Sequence, residues 1–345
     1  MMIGNGSSAT IRVGIVGSGV RADRIAPLYR NLPGAQLVAL CTEDAAADGV
    51  SSEIKVFSDL AEMLEKAGLD ALEIHSGSKR RREAVEHAAA RGMPVGIHTP
   101  LAASLEETDA VVSAVRKAGV KVLLMDPLLF HPFISKAKKL LEDGQVGEIQ
   151  MVRIKSQAGG AGGSGSLLDP KQMLDPDFNL LLTPPFDKIM LAERLVGPIA
   201  QVYAYKGSAA RMVSYKFEAP GRYGVHEAVY SPDLYVHGDG PPVDDSIEIT
   251  GTDGILWLRN LSAVMVEAPK LMLKRKNTVT VWDDRVECGY DRVWAAVRGH
   301  FLDCVRGKAT PCVDVEAGRR AAAVNLAAQI SIDESRPVRV ADVLS

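Results

Sequence analysis

The sequence lacks any C-x-x-C pair: its four cysteines, Cys41, Cys288, Cys304 and Cys312, are spread thinly along 345 residues. That excludes a zinc ribbon and a disulfide framework, and it fits reduced, buried thiols in a cytoplasm. A cationic excess is missing as well. The formal net charge is -3, so neither nucleic acid nor an anionic membrane is an expected partner. No run of 18 apolar residues occurs, so no transmembrane helix is expected. Residues 1–10 are polar and Gly/Ser-rich, without the cationic start and apolar stretch of a secretory signal, and read as a disordered tail. Internal repeats and blocks of like charge are absent too. What is present is ordinary for a folded chain: 47% hydrophobic and 24% charged residues. The length suits about two domains, with enough core to need neither disulfides nor metals.

The first third alternates strand and helix. Ile11 to Val16 is an apolar run ending at glycine, as a buried parallel strand does. Further strands are expected at Leu37–Cys41, Ala71–His75, Val95–Ile97 and Val122–Met125. Helices are expected from Val20 to Leu32, from Ser58 as N-cap to Lys66, and from Ser78 to Arg91. Ser104-Leu105-Glu106-Glu107 has capping-box spacing and opens another, to about Ala118. This pattern predicts an α/β Rossmann domain with a parallel sheet over residues 11–127. From 128 to 345 the reading changes. Helices near Phe133–Leu141 and Phe186–Val196 precede a region of strands from Ile199 to Trp282, and two helices close the chain. A turn is expected at Asp253-Gly254. Grouped strands predict an α+β domain with an open, largely antiparallel sheet. The Gly-rich stretch from Ala158 to Gly165 reads as either a mobile loop over a ligand or a connector.

Gly17-Ser18-Gly19-Val20-Arg21-Ala22 fits G-x-G-x-x-A between a strand and a helix. Gly17 allows the tight turn, Gly19 lets a pyrophosphate approach the backbone, and Ala22 keeps the helix close to the sheet. The reading is dinucleotide binding; the bland alternative is a structural turn. Recognition of the adenosine ribose belongs at the end of the second strand, where Cys41-Thr42-Glu43-Asp44 stands. A carboxylate there accepts bonds from the ribose hydroxyls and repels a 2′-phosphate, and no Arg or Lys occurs between Gln36 and Glu53. NAD is therefore expected over NADP. Arg21 or Arg24 could still reach a phosphate, and Glu43 and Asp44 could be solvated loop charges.

Several segments together resemble the Gfo/Idh/MocA family of sugar and polyol oxidoreductases. They are Val13 to Gly19, Arg91 to Ala102, Leu129-Phe130-His131-Pro132 with Glu142 to Ile149, Thr250 to Gly254, and Phe301 through Val340. The resemblance implies that Gly17, Ser18, Gly19, Val20, Arg21, Thr42, Glu43, Ser76, Gly77, Ser78, Arg81, His98 and Pro100 hold the cofactor. It also implies a small polyhydroxylated substrate. An open sheet in the second domain leaves one face in need of cover, so a homodimer or homotetramer through that sheet is expected. The departures fall in the catalytic segments. Where the family has Glu-Lys-Pro, with a lysine that contacts the substrate hydroxyl, this chain has His98-Thr99-Pro100. The family's proton-accepting histidine falls on Asp187 and its aspartate on Met190. The family's arginine before Phe130 is Leu129.

Thr99, Asp187, His98 and Lys188 are thus the catalytic candidates. Asp187 could act as a base or simply cap the helix after Pro184-Pro185. Lys188 could take the histidine's place or face solvent. His98 could titrate, or pack beneath a nicotinamide without chemical work. His226, His237 and Glu227 match no metal-binding spacing, so no metal site is expected. Three activities remain open: an NAD-dependent oxidoreductase acting on CH–OH groups, an NAD-retaining lyase or epimerase with transient oxidation, and a non-catalytic dinucleotide-binding protein.

Overall fold

The computed structural model describes residues 10–17, 29–42, 53–75, 78–102, 104–159, 185–231, 243–259, 261, 268–283 and 290–345. The chain forms two compact units. The first joins Met1–Asp126 to Trp294–Arg319, and the second joins Pro127–Val293 to Arg320–Ser345. The sequence pattern missed this exchange. It placed one boundary near 127, whereas the segment Trp294–Arg319 returns to the first unit.

The first unit is built on six parallel strands: β1 (Ile11–Val16), β2 (Ala35–Cys41), β3 (Lys55–Phe57), β4 (Ala71–Ile74), β5 (Val95–His98) and β6 (Val122–Met125). Their order is β3-β2-β1-β4-β5-β6, and every pairing is parallel. β4, β6 and most of β1 are buried on both faces, which is why they read as unbroken apolar runs. β3 was not foreseen because its three residues carry no apolar pattern; Lys55 and Val56 are exposed. Helix α1 (Leu60–Lys66) is capped by Asp59, one residue later than expected, with the carboxylate accepting from the Glu62 N–H. α2 covers Ser78–Ala89. α3 (Leu105–Ala118) opens on Ser104, whose Oγ accepts from the Glu107 N–H at 3.1 Å, and closes on Gly119 in the left-handed region.

From Trp294 onward, helix α6 (Tyr290–Val305) belongs to this unit. Gly96 on β5 makes its close approach feasible. A Cβ there would lie 2.5 Å from the Met125 Sδ and 3.5 Å from the Phe301 ring, so any larger residue would have to displace Met125.

The second unit carries nine strands in the order β14-β13-β12-β11-β7-β10-β9-β8-β15. They are β7 (Ile149–Gly159), β8 (Ile199–Lys206), β9 (Ala210–Phe217), β10 (Tyr223–Ser231), β11 (Val243–Gly251), β12 (Gly254–Arg259), β13 (Leu271–Arg275), β14 (Thr278–Trp282) and β15 (Val338–Arg339). Only β7 and β10 pair in parallel; the rest are antiparallel. Helices α4 (Pro132–Glu142) and α5 (Pro185–Val196) belong here, and so does α7 (Val315–Glu334) from Arg320 on; α8 (Val340–Leu344) ends the chain. His131 caps α4 through its ring, and Leu129, where the sequence resemblance expects an arginine, is buried.

Period-two alternation gives the sheet one buried face. Val152, Ile154, Val213, Tyr215, Phe217, Ile247, Ile249, Leu256 and Leu258 fill it. Toward the last residues of β7 and the first of β11 the same face turns polar, through Ser156, His226 and Asp245.

Candidate functional site

In the first unit the chain leaves β1 toward β2 on one side of the sheet and passes to β4 on the other, so strand order reverses between β1 and β4. Ligands of such sheets bind outside the carboxyl ends of the strands at this reversal. The backbone there is well tied. Gly17 N–H donates to the Cys41 carbonyl at 3.0 Å, His75 N–H to the Val16 carbonyl at 2.7 Å, and Thr42 N–H to the Phe57 carbonyl at 3.0 Å. Gly17 and Thr42 are buried at the ends of β1 and β2, where the sequence expects the cofactor. The other expected contacts Ser18, Gly19, Val20, Arg21, Glu43, Ser76 and Gly77 lie outside the described residues, as do Arg24 and Asp44. Ser78 is the first residue of α2.

Arg81, buried on α2, donates to the carbonyl of Pro100. Burial lowers its guanidinium to about 10. This bond holds the segment that follows β5, where the Thr99–Pro100 peptide is cis. Arg81 thus braces the His98-Thr99-Pro100 turn.

Sequence reasoning missed the most concentrated chemistry of the unit. Glu73, in the middle of β4, is fully buried. Its carboxylate gathers five donors. Arg298 on α6 binds it in a fork, Nε to Oε2 at 3.1 Å and Nη2 to Oε1 at 2.8 Å. The Tyr29 hydroxyl donates to Oε2. His75 Nε2 lies 2.5 Å and His98 Nε2 3.0 Å from Oε1. Burial alone would raise the carboxyl pKa; the Arg298 and His75 charges and bonds outweigh it and hold Glu73 well below the usual carboxylate range. Arg298 is raised in turn, burial being overcome by Glu73. Tyr29 goes well up, through burial and then the Glu73 charge.

His98 stacks on Trp294 with centroids 4.5 Å apart and planes 14° apart, and its centroid lies 3.4 Å from that of His75. Burial, then the neighbouring His75, push it down to about 3, so it stays neutral at neutral pH. Its packed reading fits better than its titrating one. Glu73, His75 and His98 are metal-ligand types within 4.8 Å of one another, a grouping that the sequence spacing did not announce. Arg298 already neutralises Glu73 from 2.8 Å, so a divalent ion there would face a buried guanidinium. The arrangement is a buried, charge-compensated hydrogen-bond network.

A signal for it existed. A glutamate inside Ala71–His75, a run expected to be buried on both faces, needs a buried cationic partner. The sequence could not name that partner, because Arg298 lies 225 residues away.

The second unit places Lys188 and Asp187 on α5. The helix starts at Pro185, so Asp187 is its third residue and not its cap; the Asp187 side chain lies outside the described residues. Met190, where the sequence resemblance expects the family's aspartate, is buried. Lys188 does not face solvent, as its helical position had allowed. It is buried, with Nζ 2.7 Å from Asp245 Oδ2 on β11. His226 Nε2 lies 3.1 Å from Ser156 Oγ. Burial, then Lys188, lower that imidazole to about 3, against a smaller upward pull from Asp245. Lys188, Asp245, His226 and Ser156 form the polar end of the buried sheet face. Glu227 is exposed on the opposite face, and His237 lies outside the described residues. No helix among the described residues is long and apolar enough to cross a membrane.

Comparison with known proteins bears on this geometry. Residues 11–125 match the Gfo/Idh/MocA family described as an oxidoreductase family with an NAD-binding Rossmann fold. Scyllo-inositol 2-dehydrogenase (NAD(+)) of Bacillus subtilis is 25% identical over 328 residues, 91% of each chain. D-apiose dehydrogenase of Paraburkholderia graminis is 29% identical over 137 residues, which are 39% of this chain and only 36% of that protein. Among solved structures, an oxidoreductase from Agrobacterium radiobacter, in complex with NAD+, L-tartaric acid and magnesium, superposes with a TM-score of 0.81 at 20% identity. The match covers 97% of this chain and 99% of that one. At that identity the likeness establishes the shared fold.

Proposed function

We propose that the chain, which matches the Gfo/Idh/MocA oxidoreductase family over residues 11–125 and an inositol dehydrogenase over 91% of its length, uses NAD to interconvert one CH–OH carbon of a sugar, cyclitol or related polyhydroxylated compound with the carbonyl. The observation that carries this reading is the Glu73 network: two imidazoles and a buried ion pair at the carboxyl ends of β4 and β5, beside the strand reversal that opens at Gly17. The residues fit the cofactor. Gly17 ends β1 without a side chain, and Thr42 closes β2 beside it, where an adenosine ribose belongs. Gly17 and Thr42 would hold NAD together with Ser18, Gly19, Val20, Arg21 and Glu43. NAD, when bound, supplies the hydride acceptor. We read it as preferred over NADP because Glu43 and Asp44 would meet a 2′-phosphate with like charge; tighter binding of NADP in a calorimetric titration would reverse that choice.

The substrate class rests on relatives such as the inositol dehydrogenase. In our reading Thr99 stands where the family has lysine, and it can bond a hydroxyl but cannot supply a cation. Lys188, buried against Asp245, is proposed as a further candidate within the second unit. The second unit is proposed to pair with a second copy of the chain. Seven of the eight exposed large hydrophobics among the described residues lie on the outer face of its sheet, with Met151 beside Tyr223 and Met212 beside Tyr205.

The assay is the near-ultraviolet absorbance of NADH with purified protein, NAD and a panel of polyols. Net NADH formation supports the oxidoreductase. Product without net NADH points to a lyase or epimerase, and binding without product to a non-catalytic protein.

A further inference from the structure

In the second unit, the polar end of the buried sheet face carries a guanidinium that no carboxylate among the described residues neutralises. We propose that Arg211 anchors a carboxylate-binding site there, and that the polyhydroxylated ligand is a sugar acid. The inference deepens the reading above and rests on it for the hydroxyls; the carboxylate is what Arg211 adds.

Strand register places the side chain. On β9, Val213, Tyr215 and Phe217 are buried and Met212 is exposed, so period two puts Arg211 on the buried face. Arg211 stands opposite Ala228 on β10, Ala228 opposite Ser156 on β7, and Ser156 opposite Asp245 on β11. The next row on the same face is Val213, His226, Ile154 and Ile247, all buried. In the Arg211 row, by contrast, Arg211, Ala228 and Ser156 are only partly buried. The face therefore opens at this row, and Ala228, its smallest side chain, leaves space between Arg211 and Ser156.

The charges in that opening do not balance. The Arg211 Nε is buried and has no hydrogen-bond partner. Carboxylates of the unit are taken by other cations: Asp245 by Lys188 at 2.7 Å, Asp244 by Lys155 at 2.6 Å and Glu193 by Arg320 at 3.0 Å. Burial lowers the pKa of the Arg211 guanidinium, with Tyr215 pulling it back up. Tyr215, two residues along the same face, is buried, and its hydroxyl also has no partner. Arg298 shows the contrast: its charge is buried too, but it meets Glu73 at 2.8 Å. A dehydrated cation beside an unmet hydroxyl is unfavourable, and an oxyanion bound between them would relieve both.

The anion that fits is a carboxylate. The planar fork of a guanidinium matches its two oxygens, and one negative charge balances one open cation. A phosphate dianion would bring a second charge with nothing to meet it. Lys188 is committed to Asp245, and His226, held neutral by burial and then by Lys188, supplies no other cation.

Isothermal calorimetry on the full chain with saturating NAD tests the site. D-glucuronate, D-galacturonate and D-gluconate are compared with D-glucose, D-galactose and D-glucitol, with glucose 6-phosphate alongside. At least one acid should bind about 10–100-fold more tightly than its neutral counterpart, the range of a hydrogen bond to a charged group. Arg211→Gln should erase that preference, and Arg211→Lys, which keeps the charge but loses the fork, should retain part of it. Arg211→Gln should also melt no lower than the wild type, because it removes an unpaired charge; a fall of several degrees would mark the guanidinium as a structural partner and overturn the inference. Equal affinity for acid and neutral compound, no binding by any acid, a preference that survives Arg211→Gln, or tighter binding of the phosphate ester than of every acid would each overturn it as well. Nicotinamide absorbance separates this failure from that of the redox reading. An Arg211-dependent acid preference without NADH formation sinks only the redox reading. NADH formed from neutral sugars, with no acid preference, sinks only the carboxylate site.

Discussion

Removing the Glu73 carboxylate should unbalance the first unit more than any other single polar change. Glu73 and Arg298 are buried together, with side-chain exposures of 0% and 2%. Neither charge has water to fall back on. Glu73→Gln keeps the volume but leaves the guanidinium without its counter-charge and turns an amide N–H₂ toward donors. Breaking one side of a buried pair costs about 3–5 kcal/mol, a large share of the stability of an ordinary domain. For a unit of about 150 residues that corresponds to a fall in melting temperature of roughly 10 °C. Arg298→Met should cost a similar amount, because the carboxylate then stays buried without its guanidinium counter-charge.

The double variant Glu73→Leu/Arg298→Met should cost less than the singles added together, since it removes both charges at once. The assay is thermal and denaturant unfolding of the wild type, the two single variants and the double variant at neutral pH. A single-variant cost below about 1 kcal/mol, or singles that simply add, would refute the claim that this is a coupled buried pair.

Wild-type turnover of simple inositols or free glucose should be at least about a hundredfold below that of a lysine-bearing family enzyme, the usual cost of one missing charge-stabilising donor. Thr99→Lys alone should not restore it, because in the proposed correspondence Asp187 also replaces the family's histidine; a steady-state assay that finds brisk wild-type turnover, or a gain in the variant, contradicts this. Acid should destabilise both units. His98 and His226 sit near 3 and His131 near 4 when folded, burial being the main cause, against an ordinary value of 6.5. The unfolded chain therefore binds protons that the folded one refuses, and stability falls as pH drops below 6.5 toward those folded values. From pH 7 to pH 5 each histidine should cost about 2 kcal/mol, and His226→Gln should remove one such share. Equal denaturant midpoints for the wild type at the two pH values would rule this out. Light scattering at micromolar concentration should give the mass of a dimer or a larger symmetric assembly, and Met151→Lys with Tyr223→Lys should give a monomer; a monomeric wild type disposes of the sheet-face interface.

Local pattern made most of the fold legible. Buried parallel strands announce themselves as short apolar runs, and Ser104 with Glu107 marked a helix start that the structure reproduces to the residue. What stayed hidden depended on distance along the chain. The return of Trp294–Arg319 to the first unit has no local signature, and Arg298 acquires its meaning only when it meets Glu73. The same holds for Lys188. Helical periodicity left it free to face solvent, and only the register of β11 brings Asp245 to its ammonium. Family likeness pointed to Thr99 and Asp187 as altered positions, yet it drew attention away from β4. There, a glutamate and a histidine two residues apart stand in one strand and on the residue after it. One charged residue in an otherwise apolar strand was the available clue, and alternation rules alone gave it no partner.

Hydride transfer between NAD and a polyhydroxylated compound is the activity proposed for the unit that holds Glu73 and His98. Purified protein with NAD and a broad panel of cyclitols, aldoses and sugar acids, followed by nicotinamide absorbance, tests it in one measurement. The predicted result is net NADH formation with at least one polyhydroxylated compound. NAD bound in calorimetry, with no NADH formed from any member of the panel, would contradict it.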